Sequence, residues 1–163
     1  MELPAHLAQA LLRRLPTPVL RRVSALILAL MQRRHPGLFE AIARLPPSTL
    51  AVVPTDLPHH FQLEFGGGGP FLLRVAEDWR AGRATVKGPL EALLDLLSGR
   101  KDGDALFFDR EITLLGDASV LMALRNTMDR EELDLAADLL SALGPFATPM
   151  SRAVHLVQQR LNR

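Results

Sequence analysis

Few side chains in this 163-residue chain are of a type and spacing that could do chemistry. His59 and His60 form its one adjacent histidine pair, and His35 and Asp56 are the groups that could join one of them on a metal. Neighbouring residues of a strand point to opposite faces, so the pair cannot easily share an ion. Exposed loop histidines are the simpler reading. Asp102 and Asp104 flank Gly103 in a way that hints at calcium, but the remaining ligands and the distal Glu of an EF-hand are missing. A solvated turn is expected there. Asp109-Arg110-Glu111 reads either as a buried polar cluster or as an exposed strand end. The tetrad Gly66–Gly69 lacks the strand-to-helix setting of a phosphate cradle and reads as a flexible hairpin tip. The chain has no Cys, which excludes a thiolate nucleophile, a disulfide and Cys-ligated zinc. It has no Gly-x-Ser-x-Gly elbow, no P-loop and no His-Glu-x-x-His. No catalytic residue, metal or cofactor is assigned, and the chain is read as not an enzyme.

The elements are read from periodicity. Glu2 to Leu15 forms a first helix with a Leu7, Leu11, Leu12, Leu15 stripe, ended by Pro16. Thr17 as N-cap and Pro18 at the first helical position start a second helix that runs to about Arg34. It carries Val19, Val23, Leu26, Ile27 and Leu30 on one side, with Arg21, Arg22, Arg33 and Arg34 mostly on another. Leu38 to Leu45 adds a further turn or two, and Pro46-Pro47 closes the N-terminal section. Two units follow: basic amphipathic helices over 1–45 as an extension, and a sheet-containing domain over 46–163.

Ser48 to Val53 is extended, and Pro54 and Pro58 mark it as an edge strand or linker. Phe61, Leu63 and Phe65 alternate with Gln62 and Glu64, and Phe71, Leu73 and Val75 alternate with Leu72 and Arg74. Together they read as an antiparallel hairpin about the glycines. Arg83 to Lys87 is a short strand, and Gly88-Pro89 opens a helix with Leu90, Leu93, Leu94 and Leu97 on one face. The run Leu106-Phe107-Phe108 to Ile112-Thr113-Leu114-Leu115 is strand-like. Gly116 stops it and Asp117 N-caps a helix bearing Val120, Leu121, Leu124 and Met128. Asp129 to Glu132 fits a capping box for a new helix, which Gly144-Pro145 ends. Met150, Val154, Val157 and Leu161 stripe a last helix. Helices, then a hairpin-rich sheet, then helices, is an α+β order: an antiparallel or mixed sheet of about five strands with helices on one face.

Composition is that of an ordinary globular domain, 48% hydrophobic and 23% charged. The net charge of +1 is unevenly spread. Residues 1–44 hold seven Arg against two Glu, and residues 45–163 hold 12 basic against 16 acidic side chains. A basic N-terminal third suits an anionic partner: phospholipid headgroups, an acidic protein or the acidic body itself. Nucleic acid does not fit, since there are no Tyr and no aromatics interleaved with the Arg. The longest apolar run near the N-terminus, Ser24 to Met31, is far short of the roughly 20 residues of a membrane span. Arg33-Arg34-His35-Pro36 follows it instead of a small-residue cleavage site, so a cytoplasmic protein is expected.

Phe107-Phe108, Arg110, Gly116-Asp117, Asn126 and Asp129 make the central run specific. The stretch LFFDREITLLGDASVLMALRNTMD resembles the signature of the sterol carrier protein type-two superfamily. Within it, the stretch is most similar to the small accessory proteins of bacterial ubiquinone biosynthesis, the UbiT type. Ala118-Ser119 stands where that subgroup has Thr-Glu. The resemblance implies an SCP2-like fold with an apolar tunnel between the sheet and the later helices. It further implies a non-enzymatic carrier of a polyprenyl quinone precursor or a phospholipid, working with ubiquinone-biosynthesis enzymes in the oxygen-independent branch.

On that reading Phe61, Leu63, Phe65, Phe71, Leu73, Phe108, Ile112 and Leu114 line one sheet face. Leu121, Leu124, Met128, Met150, Val154 and Val157 cover it. Arg21, Arg22, Arg33 and Arg34 are the candidate contacts to a membrane or partner, peripheral to the inner membrane. The alternative is an interaction module in which the same apolar side chains close into a dry core.

Overall fold

A computed structural model describes residues 5–78, 80–98 and 109–130, together with Ala105 and Ser141. Three helices come first: α1 (Ala5–Arg14), α2 (Thr17–Arg34) and α3 (Pro36–Ala43). The sheet follows with β1 (Ser48–Pro54), β2 (His60–Phe65), β3 (Leu72–Ala76) and β4 (Ala84–Gly88). Helix α4 (Leu90–Ser98), strand β5 (Thr113–Gly116) and helix α5 (Ala118–Arg130) complete the described elements. The expected loop 100–104, Leu106-Phe107-Phe108, the capping-box helix beyond Arg130 and the last helix lie outside the described residues.

The five strands form one mixed sheet in the order β3-β2-β1-β4-β5. β1 is antiparallel to β2, with Leu50 opposite Leu63, and parallel to β4, with Val52 opposite Val86. The α+β class with a mixed five-stranded sheet is therefore what the chain builds. β1 is the central strand, not the edge strand or linker that its prolines suggested. Pro54 is its last residue, so the missing N–H removes no interior ladder bond. Thr55 N–H resumes the pairing by donating to Gly88 O at 2.9 Å.

The register sorts the side chains. Leu50, Val52, Phe61, Leu63, Phe65, Leu73, Val75 and Val86 share the inner face, which the described helices cover. Leu38 and Ile42 of α3, Ala92, Leu93 and Leu96 of α4, and Val120, Leu121, Leu124 and Met128 of α5 pack there with Leu50, Phe65, Ala84 and Val86. Burying each large side chain stabilises by about 1.5–3 kcal/mol. Leu38 and Ile42 precede Pro46-Pro47 yet belong to this core.

Three local expectations are corrected. Thr17 does not cap α2; its hydroxyl bonds the Glu77 carboxylate just past β3, so it ties the helix start to the sheet. The buried stripe of α2 is Leu20, Ser24, Ile27 and Met31, whereas Val19 and Leu26 are 39% and 44% exposed. The helix is thus rotated from the face expected, because packing against β3 and α3 selects the stripe and small Ser24 permits the approach. Asp129 lies inside α5, facing Arg125 one turn earlier at 3.8 Å, and so does not begin a new helix.

The glycine tetrad is not a free tip. Gly67 N–H donates to Leu45 O at 2.7 Å and Gly68 N–H to Ala43 O at 2.8 Å, so the hairpin turn satisfies carbonyls left open at the end of α3. Gly66, Gly67 and Gly68 all have positive φ.

The Gly116-Asp117 pair behaves as its types suggest. Gly116 takes φ +85°, and Asp117 Oδ1 accepts from Ser119 N–H at 3.0 Å and Ser119 Oγ at 2.5 Å. Arg83 Nε donates to Asp117 Oδ2 at 3.1 Å, which joins the start of α5 to the start of β4. Ser119's hydroxyl, then its N–H, then Arg83 hold the Asp117 carboxyl below its ordinary value of 3.8. A depressed folded value gives stability that is present above the ordinary carboxylate range and lost as pH falls through the folded value. Asp117→Ala should therefore lower Tm at neutral pH, with the gap from wild type closing in acid. Thermal melts at about pH 7 and about pH 3 check both.

Candidate functional site: an apolar cavity under the second helix

The inner sheet face and the helices over it do not meet everywhere. Between them lies a cavity of about 290 Å³. Its floor is Val52, Pro54, Phe61, Leu63 and Leu73. Helix α2 supplies one wall with Leu20, Val23, Ser24, Ile27, Leu28 and Met31, and α3 supplies Leu38, Phe39 and Ile42. Leu90, Leu93 and Leu94 of α4, Leu124 and Met128 of α5, Phe71 and Leu12 close the rest. Among these described residues Ser24 alone carries a polar side chain. Phe71 packs edge-on against Phe39, with ring centroids 5.5 Å apart, and stacks on Phe65 at 6.0 Å. A second, smaller space of about 70 Å³ adjoins it and shares Val52, Leu63, Leu93, Leu124 and Met128.

Such a space offers dispersion contacts and freedom from water, with almost nothing to hydrogen-bond. It suits hydrocarbon. Met31 and Met128 add flexible, polarizable surface that adapts to irregular chains.

Of the expected lining residues, Phe61, Leu63, Phe71, Leu73, Leu124 and Met128 reach this cavity, and Leu121 lines the smaller space. Phe65 and Ile112, 5% and 2% exposed, are core residues, and Leu114 packs half-buried against that core. Phe108, Met150, Val154 and Val157 lie outside the described residues. The contributions of α2, α3 and α4 were not anticipated. Their signal was present as the Leu20, Ile27, Met31 spacing, but Ser24 interrupts it and Val19 and Leu26 compete with it. Of the candidate contact residues, Arg21, Arg22, Arg33 and Arg34 are all exposed. Arg21 Nε also donates to Val75 O on the edge strand at 2.9 Å.

The polar groups expected to be inert are in part structural. His59 is not an exposed loop residue: it is 4% exposed, with Nε2 3.0 Å from Leu15 O. This bond ties the loop before β2 to the end of α1, because the helix leaves that carbonyl open. Asp56 accepts from Gln9 Nε2 at 2.5 Å and from Leu90 N–H at 3.0 Å, and its own carbonyl accepts from Arg13 Nε at 2.6 Å. It thereby joins α1 to the start of α4. Among the described residues no group of His, Asp and Glu is placed to hold a metal ion. No described helix is long and apolar enough to cross a membrane.

Comparison with solved structures shows a likeness to UbiJ-SCP2, a ubiquinone synthesis protein, with a TM-score of 0.53 and 24% identity over 70% of this chain and 97% of that one. Sterol carrier protein 2 aligns at a TM-score of 0.43 and 12% identity, covering 87% of this chain and 94% of its own. The sterol carrier protein domain 2 of Helicoverpa armigera aligns at 0.42 and 18% identity, covering 69% of this chain and 86% of its own. The first likeness is one of fold. No curated protein gives a significant match. The family model of the SCP-2 sterol transfer family matches residues 28–129, from the middle of α2 to the end of α5. These residues include most of the cavity's walls, and the chain belongs to the SCP-2 sterol transfer family.

Proposed function

We propose that the protein is a non-enzymatic carrier that shelters a segment of an isoprenyl or acyl chain in this cavity. The observation that carries the proposal is the cavity itself: about 290 Å³ walled by hydrocarbon side chains on every described element that faces it. That volume sits near the lower end of the range for small-molecule sites, roughly 300–1,000 Å³. A chain in water costs about 0.8 kcal/mol per exposed CH₂, and an apolar sleeve recovers that energy without chemistry.

The candidate ligands are a polyprenyl quinone precursor and a phospholipid. Family membership and the fold likeness to a ubiquinone synthesis protein support a place in ubiquinone biosynthesis; ring-modifying enzymes as partners and the oxygen-independent branch as the setting rest on the sequence resemblance to the UbiT type. Arg21, Arg22, Arg33 and Arg34 of α2 are the proposed contact to a membrane surface or to those partners, for a cytoplasmic protein peripheral to the inner membrane. No acidic residue occurs in α2 to oppose them.

The test is direct. Protein purified from cells, extracted with organic solvent and examined by mass spectrometry should yield a stoichiometric prenylated quinone intermediate or phospholipid. An empty extract, together with no uptake of either added class, would remove the carrier reading and leave the interaction module.

A further inference from the structure

A second hollow lies against the hairpin, and several charged side chains enter its lining. Cross-strand pairing puts Ala51, Gln62 and Arg74 in one row of the sheet and His60 and Ala76 in the next, all on the face away from the apolar cavity. Ala51, 2% exposed, and Ala76 are short, and the longer Gln62, Arg74 and His60 stand around them. The result is a recess of about 560 Å³, which Arg21, Asp78 and Arg80 complete together with Phe61, Leu73 and Val75 of the opposite sheet face.

Among the described residues three arginines line it against one acidic residue, Asp78. Glu64 stands beside the recess with its charge engaged by Arg74 at 3.1 Å. Arg21 is held in place by its Nε bond to Val75 O, which fixes the guanidinium at the sheet edge. His60 Nδ1 is buried and has no hydrogen-bond partner.

We infer that this recess is a second binding site, for a phosphate-bearing anion, built by Arg21, Arg74, Arg80 and His60 against the β2–β3 hairpin. Guanidinium forks match phosphate oxygens in geometry as well as charge, and a phosphate monoester dianion can engage several at once. The hollow is larger than inorganic phosphate requires, so it admits the organic group of an ester. The arginines that would hold the anion are not among the residues of the apolar cavity, although Phe61 and Leu73 line both hollows. The source of the phosphate can be a soluble ester or the headgroup of a lipid at a bilayer surface.

Calorimetric titration with glycerol 3-phosphate, and flotation with phosphatidylglycerol vesicles beside phosphatidylcholine vesicles, test the site and separate the sources. Saturable binding of glycerol 3-phosphate assigns a soluble ester. Selective flotation with phosphatidylglycerol alone assigns a headgroup. In either case the Arg74→Gln, Arg80→Gln double variant should weaken that binding about tenfold or more, since both side chains are exposed and their loss leaves the core intact. An Arg33→Gln, Arg34→Gln variant removes the same charge on α2 and should leave glycerol 3-phosphate binding unchanged. Loss of lipid from the apolar cavity, as by Val23→Trp with Ile27→Trp, should also leave it unchanged. No binding in either arm, or weakening of the observed binding by the Arg33→Gln, Arg34→Gln pair as great as by the Arg74→Gln, Arg80→Gln pair, would overturn the inference.

Discussion

Val23→Trp with Ile27→Trp gives a folded protein that no longer retains a lipid chain. Both side chains line the cavity from α2, one turn apart, and Ile27 is 8% exposed. Larger rings there project into space that is already empty, so the overpacking cost stays within the usual 1–3 kcal/mol. Displacing about three methylenes of a bound chain removes ~2.4 kcal/mol of transfer energy at ~0.8 kcal/mol each. That corresponds to roughly a fiftyfold loss of affinity. Mass spectrometry of the purified variant and displacement of a fluorescent fatty acid measure it. Val19→Trp with Leu26→Trp is the control, because those side chains lie on the exposed side of the same helix and should leave retention unchanged. A doubly substituted cavity variant with native near-UV circular dichroism and full ligand content would show that the chain binds elsewhere.

The second large effect is on stability and turns on a single hydrogen-for-methyl change. A Cβ on Gly66 would stand 2.3 Å from Pro46 O and 2.5 Å from Leu45 O, at φ +85°. Both obstacles are backbone and cannot swing aside. Gly66→Ala must therefore lift the hairpin off the end of α3, breaking Gly67 N–H to Leu45 O and Gly68 N–H to Ala43 O. The left-handed conformation costs about 1–2 kcal/mol and each lost bond about 1 kcal/mol, so a total of roughly 3–4 kcal/mol is expected. For a domain of this size that lowers Tm by about 10 °C. Gly68→Ala shares the positive φ, +74°, but meets nothing within 4 Å, so only the conformational term of about 1–2 kcal/mol applies. Differential scanning calorimetry of the two variants separates contact from conformation. Equal shifts would mean that the hairpin is not seated on α3.

The docked hairpin also shows where local reading stops. Four glycines in a row announce a turn through their conformational freedom, and a turn is what they form. Nothing local announces that Ala43 and Leu45 wait with open carbonyls some twenty residues earlier in the chain.

The same division runs through the molecule. Strands β2 and β3, the Gly116-Asp117 stop and cap, and the apolar stripe of α5 follow from neighbours within a few residues: alternation of period two, left-handed glycine, a short carboxylate beside free N–H groups. Local chemistry of that kind is written in the chain, and so was the family signature. The position of β1 in the sheet was not, because a terminal proline reads the same at an edge or in the centre until Gly88 supplies the next bond. Nor was the wall of the cavity. Periodicity says that Leu20, Ile27 and Met31 can share a face, but Val19 and Leu26 can too. Only the docking of α2 across β3 and beside α3 chooses between them, since the choice is made by which stripe lets the helix bury more surface. A void has no residues of its own. It exists where two such surfaces fail to close, and that is a property of the assembled fold.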